Sequence, residues 1–182
     1  SLVLHQDHKM LLPRESPLRF IEGYKAILFR VLDDAGIKRT RSVSNDLVAA
    51  RTHAKGKPEL IDLAIAELES DGRAVEPDVV LAVKRMKVDR WVYLRQTKRF
   101  AVFIDKMVEN AYEVRALTTP LNELVGEPPC TFEIGVFEYE GVFVCDGLAL
   151  GPIALGPGYR AQFKAAYTAI REAGRLHTRT AT

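Results

Sequence analysis

The sequence predicts an α+β protein, with an N-terminal helical segment followed by a mostly antiparallel sheet of about five strands with two helices. Three observations carry this expectation. Up to about residue 87, apolar residues recur at three- and four-residue spacing. Beyond that point β-branched and aromatic residues alternate in short runs. Glycine and proline punctuate the joins between these runs. The expected division is a flexible N-terminus over 1–16, a helical domain over 17–87 and an α+β domain over 88–182.

Ser16-Pro17 opens the first helix, serine as N-cap and proline in the first turn. Leu18, Ile21, Ile27, Leu28, Val31 and Leu32 give it an apolar stripe, and Gly36 ends it. Ser44-Asn45-Asp46 caps a second helix that carries Leu47, Val48 and Ala50. The stretch "ELIDLAIAELESDG" forms a third, stopped by Gly72. "EPDVVLAVKRMK" is open between a short helix and a strand.

"RWVYLRQTKRFAVFID" reads as a hairpin with strands near Trp91–Arg95 and Phe100–Ile104. "AYEVRAL" is the next strand. "TTPLNELVG" is a short helix with Thr119 as cap, Pro120 at its first position and Gly126 as stop. "TFEIGVFEYEGVFVCDG" is a second hairpin turning at Glu140-Gly141, where glycine supplies positive φ. Such a turn pairs Val136 with Cys145 and Gly135 with Asp146, and would set Cys130 opposite Gly151. The two cysteines are then no cross-strand pair, and no disulfide joins them. Both faces of this hairpin are apolar, so it belongs in the middle of its sheet. A last helix carries Tyr159, Phe163, Tyr167 and Ile170 on one face and stops at Gly174.

Composition excludes several classes. Hydrophobic residues make up 47% and charged residues 27%, an ordinary balance for a globular chain. The longest uncharged run, 147–159, is broken by glycine and proline and falls short of the ~20 apolar residues of a membrane span. The opening "SLVLHQDHKM" lacks the layout of a secretory signal, so the expected location is cytoplasmic. Two cysteines fit neither a disulfide scaffold nor a cysteine zinc site, and His5 and His8 form at most half of a metal site. No metal and no cofactor is implied.

Charge is unevenly distributed although the net is only +2. Residues 36–57 carry Lys38, Arg39, Arg41, Arg51, Lys55 and Lys57 against Asp46. Residues 84–99 carry Lys84, Arg85, Lys87, Arg90, Arg95, Lys98 and Arg99 against Asp89. The blocks 58–83 and 100–147 are acidic, and 148–182 is net positive. Cations clustered this way point to a polyanion such as DNA or RNA, and as solvated surface they carry no partner.

Residues 17–76 resemble a winged-helix domain, on "AILFRVLDDAG", "SNDLVAARTHA" and "LIDLAIAELESDGRAVEP" as its three helices and the exit toward a wing. The wing would be "RAVEP" returning through "VVLAV", or the hairpin at 91–104. The resemblance implies DNA contact through the third helix. That helix instead turns Glu59, Asp62, Glu67 and Glu69 outward, where a base reader presents Arg, Lys, Asn or Gln. Backbone contact through Arg51, Lys55 and Lys57, extended by Lys38, Arg39, Arg41, Lys84, Arg85, Lys87, Lys98 and Arg99, is the expectation that remains.

Other chemistry has weaker carriers. Cys145 beside Asp146 lies in an apolar strand, the setting of an inert thiol. Glu133, Glu138, Glu140, Asp105 and Asp146 are the acids from which a metal-dependent hydrolase would be assembled. Trp91, Tyr93, Phe100 and Phe103 among cations fit base stacking or a core. "VCDGLALGPIALGPGYR" has the GxxxxG spacing of a phosphate loop at Gly151 and Gly156, but Pro157 and Gly158 stand where lysine and serine or threonine belong. It reads as a strand-to-helix corner, with Asp146, Gly156 and Gly158 as residual ligand candidates at a helix N-terminus. The leading expectation is a non-enzymatic binding or regulatory protein that contacts a nucleic-acid backbone. The alternatives are a module binding a protein partner or small ligand, and then the hydrolase.

Overall fold

The computed structural model describes residues 10–13 and 15–179. His5 and His8 lie outside them. The chain divides into two compact units, Glu15–Met86 and the remainder.

The first unit is four helices: α1 (Glu15–Asp34), α2 (Val43–Ala54), α3 (Pro58–Ser70) and α4 (Pro77–Lys84). α1 is its axis and packs against the other three. Its buried positions Pro17, Phe20, Tyr24, Ile27, Leu28, Val31 and Leu32 follow the three-and-four spacing of one helical face. α2 starts after Ser42, whose side chain accepts from the Asn45 N–H, so the cap lies two residues before the expected Ser44. The ambiguous "PDVVLAVK" is helix, with Val79, Ala82 and Val83 buried. Residues 73–76 form no strand, and among the described residues of this unit no wing hairpin is present. Gly23 explains how α4 reaches α1. A Cβ there would lie 2.8 Å from Val75 Cγ1 and 2.9 Å from Val79 Cγ1.

The second unit holds β1 (Lys87–Gln96), β2 (Ala101–Ile104), β3 (Ala111–Arg115), α5 (Leu121–Val125), β4 (Cys130–Tyr139), β5 (Val142–Cys145), β6 (Leu150–Ala154), α6 (Pro157–Glu172) and β7 (Leu176–His177). Among the described residues seven strands rather than about five form one sheet. Its path runs β1-β2-β3-β5-β4, and β4 pairs back to β1, so five strands close into a ring. All pairs in the ring are antiparallel except β3 with β5. The N-terminal stretch belongs here as well. Met10 N–H donates to the Lys98 carbonyl at 2.9 Å, and Leu12 N–H to the Ala116 carbonyl at 3.2 Å.

The ring interior is filled by side chains, as small barrels require. Tyr93, Phe103 and Phe132 meet edge-on with centroids 5.8–6.0 Å apart, and none is exposed. The second hairpin has the expected register, Val136 opposite Cys145, and Glu140 (φ 52°) and Gly141 (φ 78°) make its turn. Both cysteines are free and buried. Cys130 pairs with Ala154 rather than Gly151, because the Asp146–Ala149 loop separates β5 from β6 and moves the register by three residues. α5 begins at Leu121, with Pro120 rather than Thr119 at its cap. Leu121 joins the interior core and plugs one end of the barrel. α6 lays Tyr167 and Ile170 on Val92, Leu94, Val102 and Ile104 of the outer surface, whereas Tyr159, expected on that face, is exposed. Among the described residues no helix is long and apolar enough to cross a membrane.

Gly23→Ala will destabilise the helical unit. Overpacking costs about 1–3 kcal/mol, against about 1 kcal/mol gained in helix propensity, so the net loss is on the order of 1 kcal/mol. Thermal unfolding with Val79→Ala as the second arm checks it: the double variant should be more stable than the sum of the single effects implies, and strict additivity would show that the α1–α4 approach is not tight.

Candidate nucleic-acid interface

In the helical unit the segment before α2 is tied to the helix by one carboxylate. Asp46, 4% exposed, accepts from Thr40 N–H at 3.0 Å and from Thr40 Oγ1 at 2.8 Å. Ser42 N–H closes the knot onto Thr40 Oγ1 at 3.1 Å. The knot fixes the backbone that presents Lys38 and Arg41 to solvent. Arg39 folds back instead. Its guanidinium lies 4.2 Å from the Phe29 ring centroid and 2.8 Å from Asp33 Oδ2. Lys55 and Lys57 are exposed at the other end of α2. A 12-residue helix is about 18 Å long, more than a Debye length at physiological salt, so the two ends act as separate charge pairs.

Three expectations in this unit change. Arg51 is 3% exposed, withdrawn into the core with Leu47, Ala50 and Ala54, and does not present its guanidinium to a phosphate. Lys84 lies 3.3 Å from Asp62, while Arg85 is exposed. The acidic character of α3 holds, but Glu67 is turned toward Arg30 of α1 rather than fully outward, and Asp62 toward Lys84. α3 offers no cationic face for reading bases.

In the barrel unit the β1–β2 turn is built around Thr97. Its N–H and hydroxyl donate to the Phe100 carbonyl at 2.8 and 3.1 Å, and its Oγ1 accepts from Arg99 and Phe100 N–H at 3.1 Å each. With the Lys98 carbonyl bonded to Met10, the turn holds Lys98 and Arg99 exposed, and among the described residues neither forms an ion pair. Lys87 is exposed at the start of β1.

A bulge at Leu94 adds a cation that alternation alone would place inside. Tyr93 faces Phe103, but Arg95 faces Val102. The extra residue reverses the parity of β1, sending Arg95 outward and Gln96 inward. Arg95 donates to Tyr167 Oη at 3.3 Å, and its guanidinium lies 5.1 Å from that ring's centroid. Arg171 sits 5.8 Å from the same ring. Lys164, two turns before Arg171, is exposed on α6. The net positive charge of the C-terminal stretch was the sequence signal for these α6 cations. Of the aromatics considered for stacking, Trp91, Tyr93 and Phe103 are buried in the barrel, and the half-buried Phe100 packs against the outer apolar cluster.

Comparison with protein-family models, curated proteins and solved structures gives no significant match.

The glycine-rich stretch is accounted for by backbone. Asp146, 6% exposed, accepts at Oδ1 from Gly135 and Leu148 N–H, each at 3.1 Å, and closes the loop between β5 and β6. A ligand role for Asp146 is therefore replaced by this structural one. Gly156 and Gly158 are exposed at the start of α6, whose N-cap Gly156 makes no side-chain cap hydrogen bond. Burial pushes the Cys145 thiol up to about 12, an unreactive value. Among the described residues no three metal-ligating side chains converge.

Glu113 lies in the cross-strand row Arg95–Val102–Glu113. Burial raises its carboxyl above the ordinary value of 4.5, with Arg115 and Arg95 opposing. The folded chain therefore holds this proton more tightly than the unfolded chain, and stability falls as pH rises from 4.5 through the raised value. Glu113→Gln should raise the Tm at pH 8 by ~2 °C and by less at pH 4. A loss at pH 8 would mean that the arginines outweigh burial.

Proposed function

We propose that this chain is a non-enzymatic binding protein that contacts a nucleic-acid backbone through exposed cations. The observation that carries the reading is the β1–β2 turn, where Lys98 and Arg99 are fixed outward without carboxylate partners among the described residues and stand beside the outward Arg95. Five-stranded Greek-key barrels of the oligonucleotide- and oligosaccharide-binding type use this loop, together with the strand 2–3 face, for their ligands. Here α6 lies on the outer surface of β1 and β3, so contact is confined to the turn, Arg95 and the α6 cations Lys164 and Arg171. Lys38, Arg41, Lys55, Lys57 and Arg85 supply a further cationic surface on the helical unit. The resemblance of that unit to winged-helix domains is compatible with backbone contact, while the acidic α3 speaks against base readout. Phosphate contacts position a protein without specifying sequence, so the expected binding is sequence-tolerant.

Fluorescence anisotropy with labelled single- and double-stranded oligonucleotides tests this. Affinity should fall steeply between 50 and 200 mM salt through counterion release. Lys98→Glu with Arg99→Glu should lower the magnitude of the log–log salt slope by about 2. An unchanged slope would move contact to the helical unit, where Lys38, Arg41, Lys55 and Lys57 changed to glutamate are the next arm. No binding to any oligonucleotide at 50 mM salt removes nucleic acid from the function.

A further inference from the structure

α5 plugs one end of the barrel through Leu121. At the other end, where β1 starts and β2 turns into β3, there is a cleft of about 360 Å³. That volume lies at the small end of ligand pockets. Its wall comes from three alternate residues of β1 (Lys87, Asp89, Trp91) together with Val88 between them, from Lys106 and Met107 of the β2–β3 loop, and from Tyr112. Period-two alternation puts the three β1 residues on one side of the strand.

The floor is apolar and its rings are already committed. Trp91 is 3% exposed and gives its indole N–H to the Ile134 carbonyl at 3.1 Å. Tyr112 meets Trp91 edge-on at 5.7 Å and stacks on His177 at 4.9 Å. A flat base or sugar ring therefore has no open aromatic face to stack on. Met107, 71% exposed, adds an adaptable thioether that suits an aliphatic or thioether side chain.

The polar groups narrow the ligand further. Asp105 also lines the cleft, but its Oδ1 accepts from Glu109 N–H at 2.9 Å and Asn110 N–H at 3.2 Å, and its Oδ2 from Asn110 Nδ2 at 3.1 Å. It is spent on holding the loop. Asp89 Oδ1 accepts from Arg90 N–H at 2.9 Å and faces Lys106 Nζ at 3.8 Å, beyond direct hydrogen-bond length, so Lys106 and the second oxygen of Asp89 keep capacity for a ligand. The available set is two ammonium groups and one carboxylate over an apolar floor. A phosphate would bring no cation to Asp89, and a neutral ligand would leave the charges unanswered.

We propose that this cleft binds a small zwitterion of the amino-acid type with an apolar side chain. The ligand carboxylate lies between Lys87 and Lys106, its ammonium on Asp89, and its side chain on Trp91, Met107 and Tyr112. Lys87, a candidate for backbone contact in the sequence, belongs to the cleft instead, so the proposal shares no residue with the nucleic-acid contact proposed above.

Isothermal titration with L-methionine, L-leucine and L-isoleucine tests it, with the corresponding amino-acid amides and N-acetyl derivatives as capped forms. The zwitterions should bind and each capped form should bind about tenfold or more weaker, the loss expected for one charge-assisted hydrogen bond. Asp89→Asn should erase the preference for the free amine over the N-acetyl form, and Lys106→Gln should weaken the preference for the free carboxylate over the amide. No heat from any zwitterion at 10 mM, or equal binding of capped and free forms to the unaltered protein, overturns the proposal, as does binding of a hexose in their place. The ligand comparison is made on the unaltered protein, so it stands even if a variant misfolds.

Discussion

The barrel depends on β1 having both of its edges paired. Its first seven residues run along β4 and its last five along β2, so a single ten-residue strand closes the sheet on itself. A strand can pass from one neighbour to the other only if it coils, and the bulge at Leu94 supplies the local twist where the two pairings overlap. The ring then has an inside small enough to be filled by side chains, and Tyr93, Phe103 and Phe132 fill it from three adjacent strands. Each such ring buries on the order of 1.5–3 kcal/mol of apolar transfer energy, with about 0.5–1.5 kcal/mol more per edge-on pair.

The remaining pieces follow from that closure. The inward Gln96 accepts from Tyr93 Oη at 2.8 Å and engages Asn122 at 3.0 and 3.2 Å, which ties the α5 plug to the end of β1. The buried phenol thus has its partner because the bulge reversed the strand's parity. The outer surface is equally apolar over Val92, Leu94, Val102 and Ile104, and α6 is the cover for it. β7 then adds to β3 after α6, bringing His177 onto Tyr112.

What was legible in the sequence divides along the same physical line. Local patterns were legible: the three-and-four spacing of α1, the alternation of β1 and β2, and the Glu140-Gly141 turn whose position alone gave the pairing of Val136 with Cys145. Features that depend on a partner strand were not. The Leu94 bulge leaves no mark in composition, and alternation by itself places Arg95 on the side of Trp91 and Tyr93. β6, with all five residues exposed and containing Gly151 and Pro152, has neither alternation nor burial to announce it, and it forms because β4 offers an unpaired edge beyond β5. "PDVVLAVK" is rich in β-branched residues, yet its Val79 packs under Gly23, and tertiary contact overrides a weak local preference.

The charge pattern shows the same limit and also its use. Block sums counted Arg39 and Arg51 in one basic block and Lys84 with Lys98 and Arg99 in the other, since sequence distance was the only measure of proximity. In three dimensions the first is clamped by Asp33 and Phe29, the second is buried and the third faces Asp62. A cation already facing a carboxylate has its field largely cancelled beyond a Debye length, whereas one without such a partner projects its full charge toward an approaching anion. The sorting therefore moves the weight of the electrostatic argument from the count of basic residues to those few that secondary structure holds apart from acids. Lys98 and Arg99 are held in that way by a hydroxyl-capped turn, whereas the outward Arg95 that one extra residue in β1 creates lies in the row of Glu113 and has its charge partly answered there.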